Sequence, residues 1–581
     1  MAKGSPAPIG NSRFMAFPLA FFLLSGAAYL SMQWDPISTK AGLSGILCHQ
    51  AILRRYEVDC RGWEMLLAYM AVNGGLVIGC VWTGLHDVGD AILLVSRLGS
   101  VFLAGLYGSM LVYRAFLHPV GHFPGPFAAR LSNLYHMSAM AGSNNRYHLH
   151  IPKLQEEYGD FIRTGPRELT VLRASAVSLI YGPSSKCIKA TWYDQNSGNP
   201  DKVGIENIRD KDKHGVRRRA WDRGMGLKAA KTYESRIKGK VDEYMLRIGT
   251  GGPVNVTQET EFYAWDVMGD IAFSVDFHML RTGVEHPAVE GLHWAMATAG
   301  VVTNFPWLMN MLRVIPGATG KFQKFADWCY EQVDLKRASL ELEKAEGREQ
   351  EPRDVMSWLI KAQQDGDRSA SPTESSIRED ARTLISAGSD TVALAFTNFL
   401  YFMAKNPSIY QKLQRLLDAE FPSSQAEDWS YDRVKKLPYI DQLIYETLRL
   451  RPPVPMGFLR ETPPEGLQVD EVFIPGGVNV NVPIWSIHRD ERYFDRALDF
   501  VPERWEELSP DSAAYMPFLR GPFQCSGKAV AMMQLRMLIS CVAMQYDLAF
   551  APGEDGEEFW AGAKETMTLW VPSLKLVFTH R

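Results

Sequence analysis

Three long uncharged stretches crowd the first fifth of the chain and constrain it more than any other feature. Phe14 to Trp34 reads FMAFPLAFFLLSGAAYLSMQW, Leu66 to Leu85 is likewise uncharged, and Ala91 to Tyr113 is broken only by Arg97. At about 1.5 Å per helical residue, each run is long enough to cross a hydrocarbon layer of roughly 30 Å. A cleaved signal peptide is the alternative for the first run. Against it, the apolar stretch is long, no clear small-residue cleavage site follows, and more apolar runs come after it. For the second and third runs the alternative is a buried helical hairpin, kept open by Gly74, Gly75 and Arg97. The expectation is a membrane anchor over residues 1–117 with three spans, at about 14–34, 66–85 and 91–113.

Basic residues flanking the spans set the orientation. Lys40, Arg54, Arg55 and Arg61 lie between the first two runs, the connection His86 to Asp90 has neither Lys nor Arg, and Arg114 follows the third run. With the first loop in the cytosol, the N-terminus is lumenal and everything past Arg114 is cytosolic, so membrane lipid is a partner. Seven scattered cysteines without a C-x-x-C pair fit a cytosolic chain and support neither a disulfide framework nor a structural zinc module. The sequon Asn255-Val256-Thr257 is then incidental. Lys+Arg 62 against Asp+Glu 66, a net charge of −4, argues against a nucleic-acid surface.

Prolines in the stretch His118 to Pro126 deny helix continuation, so residues 118–126 read as a stiff hinge leaving the membrane. Residues 127–581 show no internal repeat and no linker-like segment. They are expected to form one domain, mostly helical, with small β pieces near Phe161–Val171 and Val472–Val482. The charged stretch Glu331 to Asp354 reads as a solvated helix face and loop. The clearest helix runs from Ser371 to Lys405. Ser371 is its expected N-cap, Pro372 its first residue, and Glu374 completes a capping box; Asn406-Pro407 stops it. Its middle, Leu384 to Thr391, carries a glycine, about 1 kcal/mol worse than alanine in a helix. It also carries an acid and a hydroxyl, unwelcome on a buried face. A domain-crossing helix with that cluster at its centre is expected to open onto a cavity.

Near the C-terminus stands Phe518-Leu519-Arg520-Gly521-Pro522-Phe523-Gln524-Cys525-Ser526-Gly527, followed by the helical run Lys528 to Gln545. A cysteine in a Gly/Pro-shaped loop before a helix meets unpaired N–H groups and the positive dipole end, which favour thiolate over thiol. Such a thiolate serves as a nucleophile or as an axial iron ligand. Taken alone, a cysteine is more often a small buried hydrophobe.

The spacing of this loop resembles the haem-binding motif F-x-x-G-x-x-x-C-x-G of the cytochrome P-450 haem-thiolate enzymes, with Phe518, Gly521, Cys525 and Gly527 at its fixed positions. Ala387-Gly388-Ser389-Asp390-Thr391 resembles the family's A/G-G-x-D/E-T segment. Glu446-Thr447-Leu448-Arg449 resembles its E-x-x-R helix motif, and Pro502-Glu503-Arg504-Trp505 its P-E-R-F/W turn. The four motifs stand in the family's order, and the resemblance runs from about Phe123 to the C-terminus.

The resemblance implies the family's fold, mainly α with small β-sheets, and Cys525 as axial ligand of a haem iron. It implies that Glu446, Arg449 and Arg504 form a structural cluster on the thiolate side; otherwise Glu446 and Arg449, one turn apart, are a surface pair worth under about 1 kcal/mol. It gives Asp390 and Thr391 a role in proton delivery, against the alternative that Thr391 back-bonds to the carbonyl four residues earlier. The haem propionates need cations. His214-Gly215-Val216-Arg217-Arg218 resembles a W/H-x-x-x-R segment, which assigns His214 and Arg218 to them, and Arg460 matches a further contact. A structural histidine remains the other reading of His214. One position departs from the pattern. The family usually has Arg or His two residues before the cysteine, and here stands Phe523. Haem retention then rests more on Arg218 and Arg460, and whether Arg520 turns in is open.

The implied activity is an O2-dependent monooxygenase that inserts one oxygen atom into an apolar small molecule. No G-x-G-x-x-G or G-x-x-x-x-G-K-[ST] occurs, so electrons must come from a separate flavoprotein, by analogy the NADPH–cytochrome reductase of the endoplasmic reticulum. Leu384, Ala387, Val454, Met456, Phe458 and Thr568 match pocket positions of the family. GPRELTVL, KATWYDQ and the multi-span N-terminus resemble fungal members of secondary-metabolite pathways, whose substrates are terpenoids, polyketides and alkaloids. Two other readings stay beside this one. A haem-thiolate isomerase or dehydratase would need neither O2 nor reductase, and the intact Asp390-Thr391 pair argues against it. The other is a non-catalytic membrane haem protein.

Overall fold

The computed structural model describes residues 35–581 apart from 196, 303–304, 319, 349, 423–428 and 513. The first uncharged run, 14–34, lies outside the described residues. The chain divides into two compact units, residues 1–118 and 119–581.

In the first unit, helix α1 (Pro36–Cys48) precedes helices α2 (Gly62–Trp82) and α3 (Val88–Val112). Two stretches, Gly62–Trp82 and Val88–Leu117, are long and apolar enough to cross a membrane. They begin three or four residues earlier than the uncharged runs, because the charges of Glu64 and Asp90 fall in the first turns, where a helix dipole favours them. Helix α1 was not legible in the sequence. Asp35 caps it, accepting hydrogen bonds from the backbone N–H groups of Ile37 at 2.8 Å and Ser38 at 2.7 Å. Arg97, the one charge interrupting the third run, pairs with the same Asp35 carboxylate. Helices α1 and α3 touch backbone to backbone through glycines. A Cβ on Gly105 would stand 2.1 Å from the Gly42 carbonyl oxygen, and one on Gly45 2.1 Å from that of Phe102. Small-residue contact of this kind is how helices associate where burial of apolar surface provides no drive.

The second unit is mostly helical. The proline stretch opens it, with Val120 and Phe123 buried in its core and the backbone N–H of Arg163 donating to the Pro124 carbonyl at 2.7 Å. Five short strands form one sheet: β1 (Phe161–Gly165), β2 (Glu168–Val171), β3 (Ile188–Lys189), β4 (Arg460–Glu461) and β5 (Asn479–Asn481), in spatial order β1-β2-β5-β4-β3. β1 and β2 are antiparallel, β2 and β5 parallel, and β4 antiparallel to both neighbours, with Lys189 opposite Arg460. A three-stranded sheet of 253–255, 575–580 and 546–550 was not anticipated.

The helices that position the site are α4 (Lys211–Met225), α5 (Val256–Phe273), α6 (Pro287–Val302), α7 (Glu374–Lys405), α8 (Pro438–Leu450) and α9 (Lys528–Gln545). The 32 residues of α7 span about 48 Å. Its cap is not Ser371. Thr373 is the N-cap, and its hydroxyl accepts from the Ser376 backbone N–H, completing a Thr373/Ser376 capping box. Ser371 is drawn elsewhere, donating to the buried Asp380 carboxylate at 2.5 Å and accepting from Arg217 at 3.0 Å. Gly388 also has a packing role: a Cβ there would stand 2.5 Å from Met268 Cε, so the glycine lets α7 lie close against α5.

Candidate active site

The cysteine loop turns through two left-handed residues, one of them a glycine that close packing also requires. Leu519 and Gly521 both adopt positive φ, 54° and 64°. A Cβ on Gly521 would also meet the Tyr181 carbonyl oxygen at 2.5 Å. The Cys525 N–H donates to the Phe518 carbonyl at 2.9 Å, closing the loop, and the half-buried Phe518 ring packs on the main core. Gly527 leads into α9, and a Cβ there would press on Met225 Cε of α4 at 3.3 Å. Cys525 is exposed, yet burial by surrounding protein raises its thiol. Both statements hold for a residue lining an internal recess. The backbone N–H groups of Gly527 and Lys528 and the charge of Arg218 pull the other way but do not prevail. This corrects the expectation that the helix N-terminus alone favours the thiolate; a bound metal is what removes the proton from such a thiol.

Glu446 and Arg449 of α8 are fully buried and bidentate at 2.8 and 2.9 Å. Glu446 also accepts from Arg504 Nε at 3.1 Å, Trp505 Nε1 at 3.0 Å and the Val501 N–H at 2.8 Å. Arg449 donates to the carbonyls of His488, Ala497 and Asp499. The cluster ties α8 to the segment 488–505. The receiving carbonyls could not be assigned from sequence, because a backbone acceptor carries no residue signature.

On α7, Ala387 is exposed and Thr391, one turn later, half-buried, within a helix otherwise largely buried. The Thr391 hydroxyl donates to the Ala387 carbonyl at 2.9 Å, the back-bond that was the alternative reading. Asp390 does not bond to Thr391. It accepts from Trp265 Nε1 at 3.2 Å and lies 3.5 Å from His293 Nε2, whose Nδ1 is 3.4 Å from Glu285. Burial works against the His293 charge, yet Asp390 and Glu285 raise it to about 11. Burial raises Glu261 nearby to about 7, assisted by Asp390. These groups border a cavity of about 260 Å³ lined by Glu261, His293, Asp390, Leu394, Thr568 and Trp570. Trp265 and His293 carried no motif; only the folded packing of α5 and α6 on α7 reveals them.

Of the other expected pocket residues, Val454, Met456 and Phe458 are half-buried beside the β-sheet. Leu384 is buried in the main core. His214 and Arg218 of α4 and Arg460 of β4 converge on the residues just before Cys525. The His214 ring meets Phe523 edge-on at 4.7 Å, Arg460 Cζ stands 5.0 Å above the same ring, and Arg218 donates to the Gln524 carbonyl at 2.6 Å. Burial first, then the surrounding Lys and Arg charges, lower His214 to about 2. Its Nδ1 and the Nε of Arg460 are buried without partners among the described residues. Arg520 does not turn in; it donates to the Tyr515 carbonyl at 2.9 Å. Buried donors lacking acceptors, grouped beside an exposed cysteine in a recess, fit haem: a metal for the sulfur and carboxylates for the cations.

The cytochrome P-450 family pattern matches residues 124–572. The chain belongs to the cytochrome P-450 family. Among its relatives, the cytochrome P-450 monooxygenase eupD of Phoma sp is 65% identical over 286 residues, covering 49% of this chain and all of the relative. The monooxygenase FCK2 of Fusarium pseudograminearum is 35% identical over 92% of this chain and 96% of its own. Tryprostatin B 6-hydroxylase of Aspergillus fumigatus is 33% identical over 93% of this chain and 96% of its own. As in other cytochromes P-450, the cofactor is haem. Cys525 is the candidate ligand for its iron, and His214, Arg218 and Arg460 are the candidates for its carboxylates.

Proposed function

We infer that this cytochrome P-450 is a membrane-anchored monooxygenase that oxidises an apolar small molecule in a fungal secondary-metabolite pathway. The observation that carries this reading is the exposed Cys525 in its recess, near two buried ring and guanidinium nitrogens, His214 Nδ1 and Arg460 Nε, that have no partner among the described residues. Bound through Cys525, haem supplies dioxygen activation, the thiolate donating electron density that favours O–O cleavage. The chain's own residues do the rest. Glu446, Arg449 and Arg504 hold the segment beneath the loop. Ala387 and Thr391 present the accessible face of α7, and Asp390, held by Trp265 and His293, is the acid beside them on the helix for proton delivery. Half-buried Val454, Met456 and Phe458 and the wall residue Thr568 supply apolar and weakly polar surface for the substrate.

Electrons come from an NADPH–cytochrome reductase on the same membrane surface. The apolar helices of the first unit and the basic residues around them support an endoplasmic-reticulum anchor with the second unit in the cytosol. The relatives' names, which include a tryprostatin B 6-hydroxylase, support the pathway class. The test is turnover of candidate substrates under 18O2 with reductase and NADPH. One labelled oxygen atom in the product, and none without reductase, is expected. Product formed with neither O2 nor reductase would favour an isomerase.

A further inference from the structure

The missing basic residue at Phe523 leaves the cofactor site one cation short, and the sheet beside it holds a cation that no motif assigns. Lys189, in the segment KATWYDQ, is opposite Arg460 in the β3–β4 register. Residues directly opposite on antiparallel strands send their side chains to the same face. Both converge on the Phe523 ring, Lys189 Nζ at 4.8 Å and Arg460 Cζ at 5.0 Å from its centroid. The His214 ring packs against the same phenyl group.

The arrangement is electrostatically incomplete. Like charges directly opposite on neighbouring strands repel, and both side chains are buried, Lys189 at 4% exposure and Arg460 at 1%. Among the described residues, neither has a carboxylate within ion-pair distance. Lys189 donates to the carbonyls of Glu206 at 2.7 Å and Ile205 at 3.3 Å, and Arg460 to Leu459 and Tyr193. Burial and the nearby Arg460 hold the Lys189 ammonium well below its ordinary range. Buried charges of one sign without a counter-ion are strongly unfavourable. An anion bound between them removes the repulsion, and the phenyl face gives both cations a surface that tolerates positive charge.

We propose that Lys189 is the cofactor-carboxylate ligand that replaces the basic residue usually found two positions before the cysteine, with the Phe523 ring as the platform that holds Lys189 and Arg460 in place. The replacement is made from a strand more than three hundred residues upstream, so the motif looks defective while the site is not.

The test is haem retention by the full chain in detergent, read as the rate of haem transfer to excess apomyoglobin, with no dependence on activity. Wild-type protein must first show a thiolate-type carbonyl spectrum, which separates failure of the haem reading from failure of this one. Lys189→Gln is expected to lose haem roughly tenfold faster, the effect of a lost hydrogen bond to a charged group, and Lys189→Arg to stay near wild type. Adding Phe523→Arg to Lys189→Gln should restore retention, because it returns the usual cation; it cannot restore the bonds to the Ile205 and Glu206 carbonyls. If Lys189→Gln alone yields no haem-loaded protein, the double variant decides in the same way. Unchanged haem transfer in Lys189→Gln, or no rescue by Phe523→Arg, would overturn the proposal.

Discussion

At the scale of single residues, Glu446 shows what burial demands. Its carboxylate accepts from Arg449 twice, from Arg504, from Trp505 and from a backbone N–H. Glu446→Ala leaves Arg449 buried and uncompensated, so it should cost about 3–5 kcal/mol and release haem, measured by chemical unfolding and absorbance. Glu261 makes a different prediction, about pH. Burial raises its folded-state value from 4.5 to about 7, so the folded protein holds a proton that the unfolded chain has lost. Its contribution is fully favourable below about pH 4.5 and is lost as pH rises through 7. Glu261→Gln should therefore gain thermal stability relative to wild type at pH 8 and not at pH 4.5. Parallel curves at the two pH values would contradict the shift.

At the scale of elements, the cysteine loop is the most demanding piece. Gly521 needs a positive φ and has the Tyr181 carbonyl 2.5 Å from where a Cβ would be. Gly521→Ala should destabilise by more than the ~1 kcal/mol of the φ preference alone, with a matching fall in haem content. Thr373→Ala at the cap of α7 should cost about 1 kcal/mol, read from thermal unfolding. The same two elements show what was legible. Cys525, Gly521, Glu446 and Arg449 could be found because each motif is contiguous and its chemistry local. The cap of α7 was misplaced by two residues because Ser371, a good capping residue, is captured by Asp380 and Arg217 from distant segments. Lys189, Trp265 and His293 were invisible for the same physical reason. Their roles depend on which strand or helix lies opposite, which no spacing encodes. Helix α1 was hidden because its glycines look like loop residues until α3 is packed on them.

For the whole molecule, two units of different character follow from one chain. In the first, α2 has no buried residue, while the second has extensive cores into which Val120 and Phe123 are packed. Removing residues 1–117 should release the protein from membranes with its haem retained. Extending the deletion through Pro126 strips both side chains from the core and should lower thermal stability, so sedimentation and melting together test the boundary. The central claim concerns a single bond, from Cys525 to haem iron. It is tested most directly by the carbonyl complex of the reduced, purified full chain. The account predicts the red-shifted Soret band of a thiolate-ligated haem, abolished by Cys525→Ser. A band at the unshifted position in wild-type protein, or a shifted band that survives Cys525→Ser, would contradict it.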